Sequence, residues 1–151
     1  MKLFVLRHGR AEPHRTDDAS RALLDSGRAD VRAIVSRQAP LMGRPLIWSS
    51  PYVRARQTAE IAADVLGLRG HTIFTTENLV PEARLSALVE EIYRADVPSL
   101  LLASHQPLVS ALLDHLCGPS EAHAMETSAL ACVSLDVVAA DLGRLEWLLA
   151  P

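Results

Sequence analysis

Leu3-Phe4-Val5-Leu6-Arg7-His8-Gly9 is an apolar run followed without a break by a cation, an imidazole and a glycine. The run reads as a strand buried on both faces, as strands of parallel sheets are. Open α/β sheets carry their chemistry just beyond the carboxyl ends of such strands, where Arg7 and His8 would then stand.

Short apolar runs alternate with amphipathic stretches along the remaining chain. That pattern predicts βα units and an α/β fold, a three-layer α/β/α sandwich around a mostly parallel central sheet. Asp25-Ser26-Gly27 starts a helix with Val31, Ile34 and Val35 at core spacing, ending near Pro40 to Pro45, and Leu46-Ile47-Trp48 supplies the next strand. Ser50-Pro51 predicts a second helix start, the serine oxygen capping free amides and the proline fitting the first turn. Gly67 ends that helix. His71 to Thr75 reads as a strand, and Leu85, Leu88, Val89 and Ile92 after Pro81 follow helical spacing. Leu100 to Ala103 is a strand for the sheet centre. Ser104-His105-Gln106-Pro107 repeats the strand-to-helix transition, with Leu108, Leu112 and Leu116 on the helix face and Gly118-Pro119 as its stop. Leu130 to Val138 and Arg144 to Leu149 are joined too closely for a crossover and predict an antiparallel closing pair.

With 49% hydrophobic and 4% aromatic residues, the 151-residue chain suits a single domain, residues 1–151, with an aliphatic core. A net charge of −3 gives no general pull toward nucleic acid or anionic lipid. The apolar run after Lys2 is too short for a signal-peptide core, and nothing approaches the ~20 apolar residues of a membrane span, so a cytoplasmic protein is expected. Cys117 and Cys132 lack any metal-ligand or CxxC spacing and read as buried thiols.

Three strand-to-helix junctions carry cationic or reactive side chains: Arg7-His8, then Arg54 and Arg56, then His105. Junctions of a parallel sheet share one edge, so these residues can meet in one pocket. Unpaired amides at helix starts make that edge hospitable to an anion. Arginines would repel a metal ion, no carboxylate adjoins either histidine, and no GxSxG elbow is present; metal and acyl-hydrolase chemistry give way to phosphoryl transfer. Arg56 lies two residues from Arg54, on another side of the helix, where Glu60 at i+4 can pair with it. His14, His71, His115 and His123 read as solvated or structural groups.

Arg7-His8-Gly9 after the first strand, Ser49 to Glu60 opening a helix with Arg54, and Ser104-His105 after a later strand resemble the histidine phosphatase superfamily, with its phosphoglycerate mutase-like fold. Within it the chain most resembles the SixA-type phosphohistidine phosphatases, through its length, its Ser104 to Val109 run and Thr127-Ser128-Ala129 before the last strands. Between Leu66 and Ser99 there is room for about one strand and one helix, not for a helical cap over the pocket.

The resemblance implies that His8 is the nucleophile accepting the phosphoryl group, with Arg7, Arg54 and His105 around its oxygens. It implies a two-step, metal-free cycle needing no cofactor, in which water releases phosphate from His8. Glu82, beside Pro81, is the candidate proton donor; Glu12 and Arg15, in the loop after Gly9, are candidate substrate contacts. The expected substrate is phosphohistidine on a partner protein such as a histidine phosphotransfer domain. Two alternatives stay open at this point: a small-molecule phosphomonoesterase and a phosphoprotein-binding module without turnover.

Overall fold

The protein is described as a computed structural model covering residues 1–14 and 17–151, so Arg15 lies outside the described residues. Ten regular elements follow in order: β1 (Lys2–Arg7), α1 (Asp25–Met42), β2 (Leu46–Ser49), α2 (Val53–Val65), β3 (Ile73–Thr75), α3 (Leu85–Ala95), β4 (Ser99–Ser104), α4 (Leu108–Cys117), β5 (Leu130–Leu135) and β6 (Gly143–Leu149). They build a six-stranded sheet in the order β3-β2-β4-β1-β5-β6. β1 to β4 are mutually parallel, with Phe4 opposite Leu101 and Trp48 opposite Leu102. β5 runs antiparallel to β1 and β6 antiparallel to β5, which turns β6 back into the direction of β1.

Strand alternation divides the core into two sides. Leu3, Val5, Leu100, Leu102, Ala131 and Val133 face α3 and α4, whereas Phe4, Leu6, Leu101, Ala103, Leu130 and Cys132 face α1 and α2. Helical spacing supplies the matching stripes, Val31, Ile34 and Val35 on α1 and Leu112, Leu113 and Leu116 on α4. Each fully buried Leu or Ile contributes about 1.5–3 kcal/mol of transfer free energy, and β1 and β4 carry five of them, Leu3, Leu6, Leu100, Leu101 and Leu102. Among the described residues no helix is long and apolar enough to cross a membrane.

The predicted elements are present, with shifted edges. The second helix starts at Val53 rather than at Ser50-Pro51, because the Ser50 hydroxyl accepts the nearby amide of Tyr52 at 3.2 Å and holds a tight turn. β3 is only three residues long, and β5 stops at Leu135, three residues before Val138, where the chain turns toward β6.

Two glycines set how closely α1 approaches the loop leaving β1. A Cβ on Gly27 would lie 2.2 Å from the Arg10 carbonyl oxygen, and one on Gly9 would lie 2.8 Å from that of Gly27. The helix start therefore seats directly on the segment after His8, and Leu24 N–H donates to the Arg10 carbonyl at 2.9 Å. At the same sheet edge His8 N–H donates to Ser104, Ser50 N–H to Ala103 and Ser128 N–H to the His8 carbonyl. Four segments distant in sequence are thus fixed to one another by backbone hydrogen bonds.

Candidate active site

Arg7, His8, Arg54 and His105 meet at the carboxyl edge of β1, β2 and β4, on the wall of a cavity of about 430 Å³. His8 and His105 are 8% and 1% exposed, with ring centroids 5.0 Å apart. His8 Nδ1 lies 2.7 Å from the Gly9 carbonyl oxygen. That oxygen can only accept, so the proton sits on Nδ1 and the lone pair on Nε2. Arg54 Nε donates to this Nε2 at 3.3 Å. The Gly9 carbonyl thus holds the imidazole in the tautomer whose Nε2 lone pair can attack in line, and the Arg54 Nε–H that meets that lone pair would pass to a phosphoryl oxygen as phosphorus approaches.

His105 is oriented by Ser50, whose Oγ lies 2.8 Å from Nε2. Ser50 Oγ already accepts from Tyr52 N–H, and its own proton has no other acceptor among the described residues, so it donates to Nε2 and leaves the His105 proton on Nδ1. Nδ1 of His105 and Nε of Arg7 are both buried without a protein hydrogen-bond partner. Buried donors are costly to leave unmatched, and an oxyanion between these side chains would satisfy them. Arg7 is anchored from behind, donating from Nη1 to the Met125 carbonyl at 2.8 Å. Gln106 donates to the same carbonyl at 3.0 Å and to Ser110 Oγ at 2.7 Å, and Ser110 donates onward to His123.

Both histidines are neutral in this setting. Burial is the main cause for His8, which Arg54, Arg7 and Arg21 push further, to about 4, against the raising effect of the Gly9 hydrogen bond. His105 is pushed to about 2 by burial first, then by His8 and Arg54. The same burial, with Arg54 beside it, lowers Arg7. An anion entering the cavity meets fixed arginine charge and neutral imidazoles.

Asp18 and Arg21 also line the cavity, and neither is apparent from the sequence pattern. They sit in and just after a single 3₁₀ turn, Asp18–Ser20, within a polar segment that has no periodicity to place it. Asp18 accepts from Arg54 and Arg21 together. Gln106 and Thr127, both within runs that carry the resemblance, line the cavity as well. Glu82 is different: it is exposed in the turn beside Pro81, and Pro81 is the only described residue of the segment 66–99 on the cavity wall. α3 buries Leu88 and Ile92 in the core instead of arching over the site. Tyr52, its ring 5.1 Å from that of His105, has its phenol pushed up by burial first and then by the Glu82 carboxylate.

Glu12, Arg56, His14 and His123 have local partners. Glu12 accepts the Ala22 amide and, through its carbonyl, Arg21 Nε. Arg56 reaches Glu60 at 3.7 Å and donates to Thr75 Oγ1 at 2.6 Å. His123 is buried against Asp114 at 2.7 Å, while exposed His14 lies at the cavity mouth, 3.7 Å from Asp18. Cys132 is buried and Cys117 half-buried, both as free thiols whose burial pushes their pKa up.

Residues 3–80 match the family model of the histidine phosphatase superfamily, branch 1. Phosphohistidine phosphatase SixA of Escherichia coli K12 is 30% identical over 161 residues, spanning 100% of this chain and 94% of that protein. A solved structure of protein histidine phosphatase SixA complexed with tungstate has a TM-score of 0.87 at 30% identity, over 100% of this chain and 97% of that one. A crystal structure of SixA from Agrobacterium tumefaciens has a TM-score of 0.84 at 27% identity, over 99% and 97% of the two chains. The phosphoglycerate mutase-like architecture, the order of the motifs and these likenesses agree. The chain belongs to branch 1 of the histidine phosphatase superfamily, and it is a phosphatase.

Proposed function

We propose that the protein hydrolyses phosphohistidine carried by another protein, with histidine phosphotransfer domains as the substrate class, through a phosphoryl intermediate on Nε2 of His8. The observation that carries this reading is an open cavity with a held, neutral nucleophile and, among the described residues, no carboxylic acid placed to protonate a leaving group. Asp18 is ionised by its hydrogen bond to Arg21 foremost, and Glu82 stands off the wall. An alkoxide leaves poorly without an acid, whereas a phosphorylated imidazole takes its proton from water and leaves neutral.

In the first step His8 Nε2 attacks phosphorus and the substrate P–N bond breaks, its electron pair going to the protonated imidazole that departs. His8 then carries phosphate as an imidazolium whose Nδ1–H faces the Gly9 carbonyl. Water attacks phosphorus in the second step, the Nε2–P pair returns to His8, and dihydrogen phosphate leaves with both water protons. No protein group must give or take a proton. Arg7, Arg54 and His105 supply donors to the phosphoryl oxygens in both steps, charge-assisted in the case of the arginines. The absence of a cap, with only Pro81 of the segment 66–99 at the wall, gives a protein-borne phosphoimidazole access to His8.

The test compares phosphate release, without added metal, from a phosphorylated histidine phosphotransfer domain and from p-nitrophenyl phosphate at matched concentrations. Preference for the phosphoprotein, and acid-labile, base-stable label on wild-type protein but not on His8→Ala, are the expected results. Preference for the small ester would instead support the phosphomonoesterase alternative. The binding-module alternative would have required a protein without turnover, and it is set aside by the phosphatase assignment.

A further inference from the structure

We propose that Asp18 is the positioning residue of this site, gripping the outer edge of the Arg54 guanidinium so that its Nε–H is aimed at the reacting nitrogen of His8. The inference rests on the phosphatase reading above for its kinetic consequence, though not for its geometry. Arg54 Nη1 donates to the Asp18 backbone carbonyl at 2.8 Å and Nη2 to its carboxylate Oδ2 at 3.1 Å, while Nε faces His8 Nε2 at 3.3 Å. A guanidinium has five N–H groups in one rigid plane. Fixing the two terminal nitrogens therefore fixes where the third points.

The other carboxylate oxygen, Oδ1, accepts from Arg21 Nη1 at 2.8 Å, and Arg21 is itself tied through Nε to the Glu12 carbonyl at 2.8 Å. One carboxylate thus bridges two arginines that would otherwise repel each other across the cavity mouth. Arg54 is 4% exposed, so the bridge works out of bulk solvent on its inner side. The second N–H of Nη2, on the same edge of the plane as Nε, remains available for a phosphoryl oxygen. Asp18 does not act as an acid, since its partners keep it ionised, and its negative charge opposes the incoming phosphate. Holding Arg54 ready for the transition state at the expense of some ground-state attraction is the division that raises turnover rather than affinity.

That division sets the test. Asp18→Asn keeps size and the backbone carbonyl but removes the second charge-assisted bond; Asp18→Glu keeps the charge and displaces it. Both are compared with the wild-type protein after thermal melting confirms folding. Expected for both is a fall of about 10- to 100-fold in kcat on the phosphorylated phosphotransfer domain, with KM changed less than about threefold. Inhibition by inorganic phosphate should be as tight or tighter in Asp18→Asn. In parallel, the Arg54 Nε–H resonance, assigned by its loss in Arg54→Lys, should be protected from solvent exchange in the wild type and unprotected in both variants. Wild-type kcat in both variants, or unchanged protection, would overturn the proposal. If the wild type releases phosphate from neither substrate while the variants still lose protection, the geometric inference stands and the functional reading falls.

Discussion

Lowering the pH tests the site through His8. An imidazole at the ordinary value of 6.5 would be about 9% neutral at pH 5.5, whereas His8, held at about 4, is about 97% neutral there. The nucleophile therefore stays competent well into acid. The same shift has a cost in stability whose sign is fixed. The folded state favours neutral His8 and the unfolded state lets it charge, so the contribution is complete above 6.5 and is lost as pH falls from 6.5 toward 4. A shift from 6.5 to about 4 is worth about 3 kcal/mol when the whole window is crossed, and about 2 kcal/mol of that is gone by pH 5. His105 is depressed as well and adds loss in the same window. Asp18, Asp64, Asp114 and Glu146, all lowered by their partners, destabilise only as pH falls below their ordinary values of 3.8 and 4.5, a separate acid region.

Two measurements follow. Histidine ring proton shifts, assigned through His8→Gln, give the His8 titration directly. Urea unfolding at pH 7, 6, 5 and 4.5 gives the stability curve, which should fall from pH 6.5 downward and fall less steeply in His8→Gln. A His8 midpoint near 6.5, or a stability curve flat between pH 6.5 and 5, would refute the view that burial among arginines keeps these imidazoles neutral.

Gly27→Ala should lower stability by about 1–3 kcal/mol or more in urea unfolding and reduce kcat with it, since its Cβ would strike the Arg10 backbone and push the loop that carries His8. Ser128→Gly should do the opposite, raising stability by about 1 kcal/mol: Ser128 has φ of 62° and a buried hydroxyl with no partner, and glycine removes both penalties. Destabilisation by this change would contradict that account. Ser50→Ala should lower stability by about 1–3 kcal/mol and cut kcat about tenfold, because the Tyr52 amide loses its acceptor and His105 Nε2 loses the donor that fixes its tautomer. Glu82→Gln should alter phosphohistidine turnover less than about threefold; a collapse on that substrate would make Glu82 an essential acid after all.

The central strands were legible because they are buried on both faces and read as unbroken apolar runs. Leu3 to Leu6 and Leu100 to Ala103 needed no tertiary information, and the junctions after them located His8 and His105, whereas the strand read as Leu130 to Val138 contains Ser134 and ends three residues earlier. Edge structure was less legible: β3 has two exposed residues of three, so little burial marks its ends. Ser50 was legible as a capping residue but not in its role toward His105, because both roles use the same hydroxyl and only the fold brings His105 to it. Asp18 and Arg21 were hidden for a different reason. They act from an irregular segment whose position is set by the Leu24 backbone bond to Arg10 and by the Arg54 side chain donating to the Asp18 carbonyl, and no periodic signal reports such a placement.

The charge arrangement explains why one acidic side chain belongs in a phosphate site. The whole chain carries −3, yet Arg7, Arg21 and Arg54 share a cavity whose two histidines contribute no charge. Arginine cannot shed its proton at any relevant pH, so the attraction for phosphate is permanent and the imidazoles are released from supplying it. That leaves His8 free to be a neutral nucleophile, which a site built on histidinium could not offer. The cost is mutual repulsion between arginines held close together in partly buried surroundings. Asp18 offsets it at the one point where both terminal nitrogens of Arg54 face away from His8, so compensation and aim are achieved by the same carboxylate. A lysine at position 54 could carry the charge but has no planar fork to aim, which is why the geometry of this site depends on arginine and not merely on a cation.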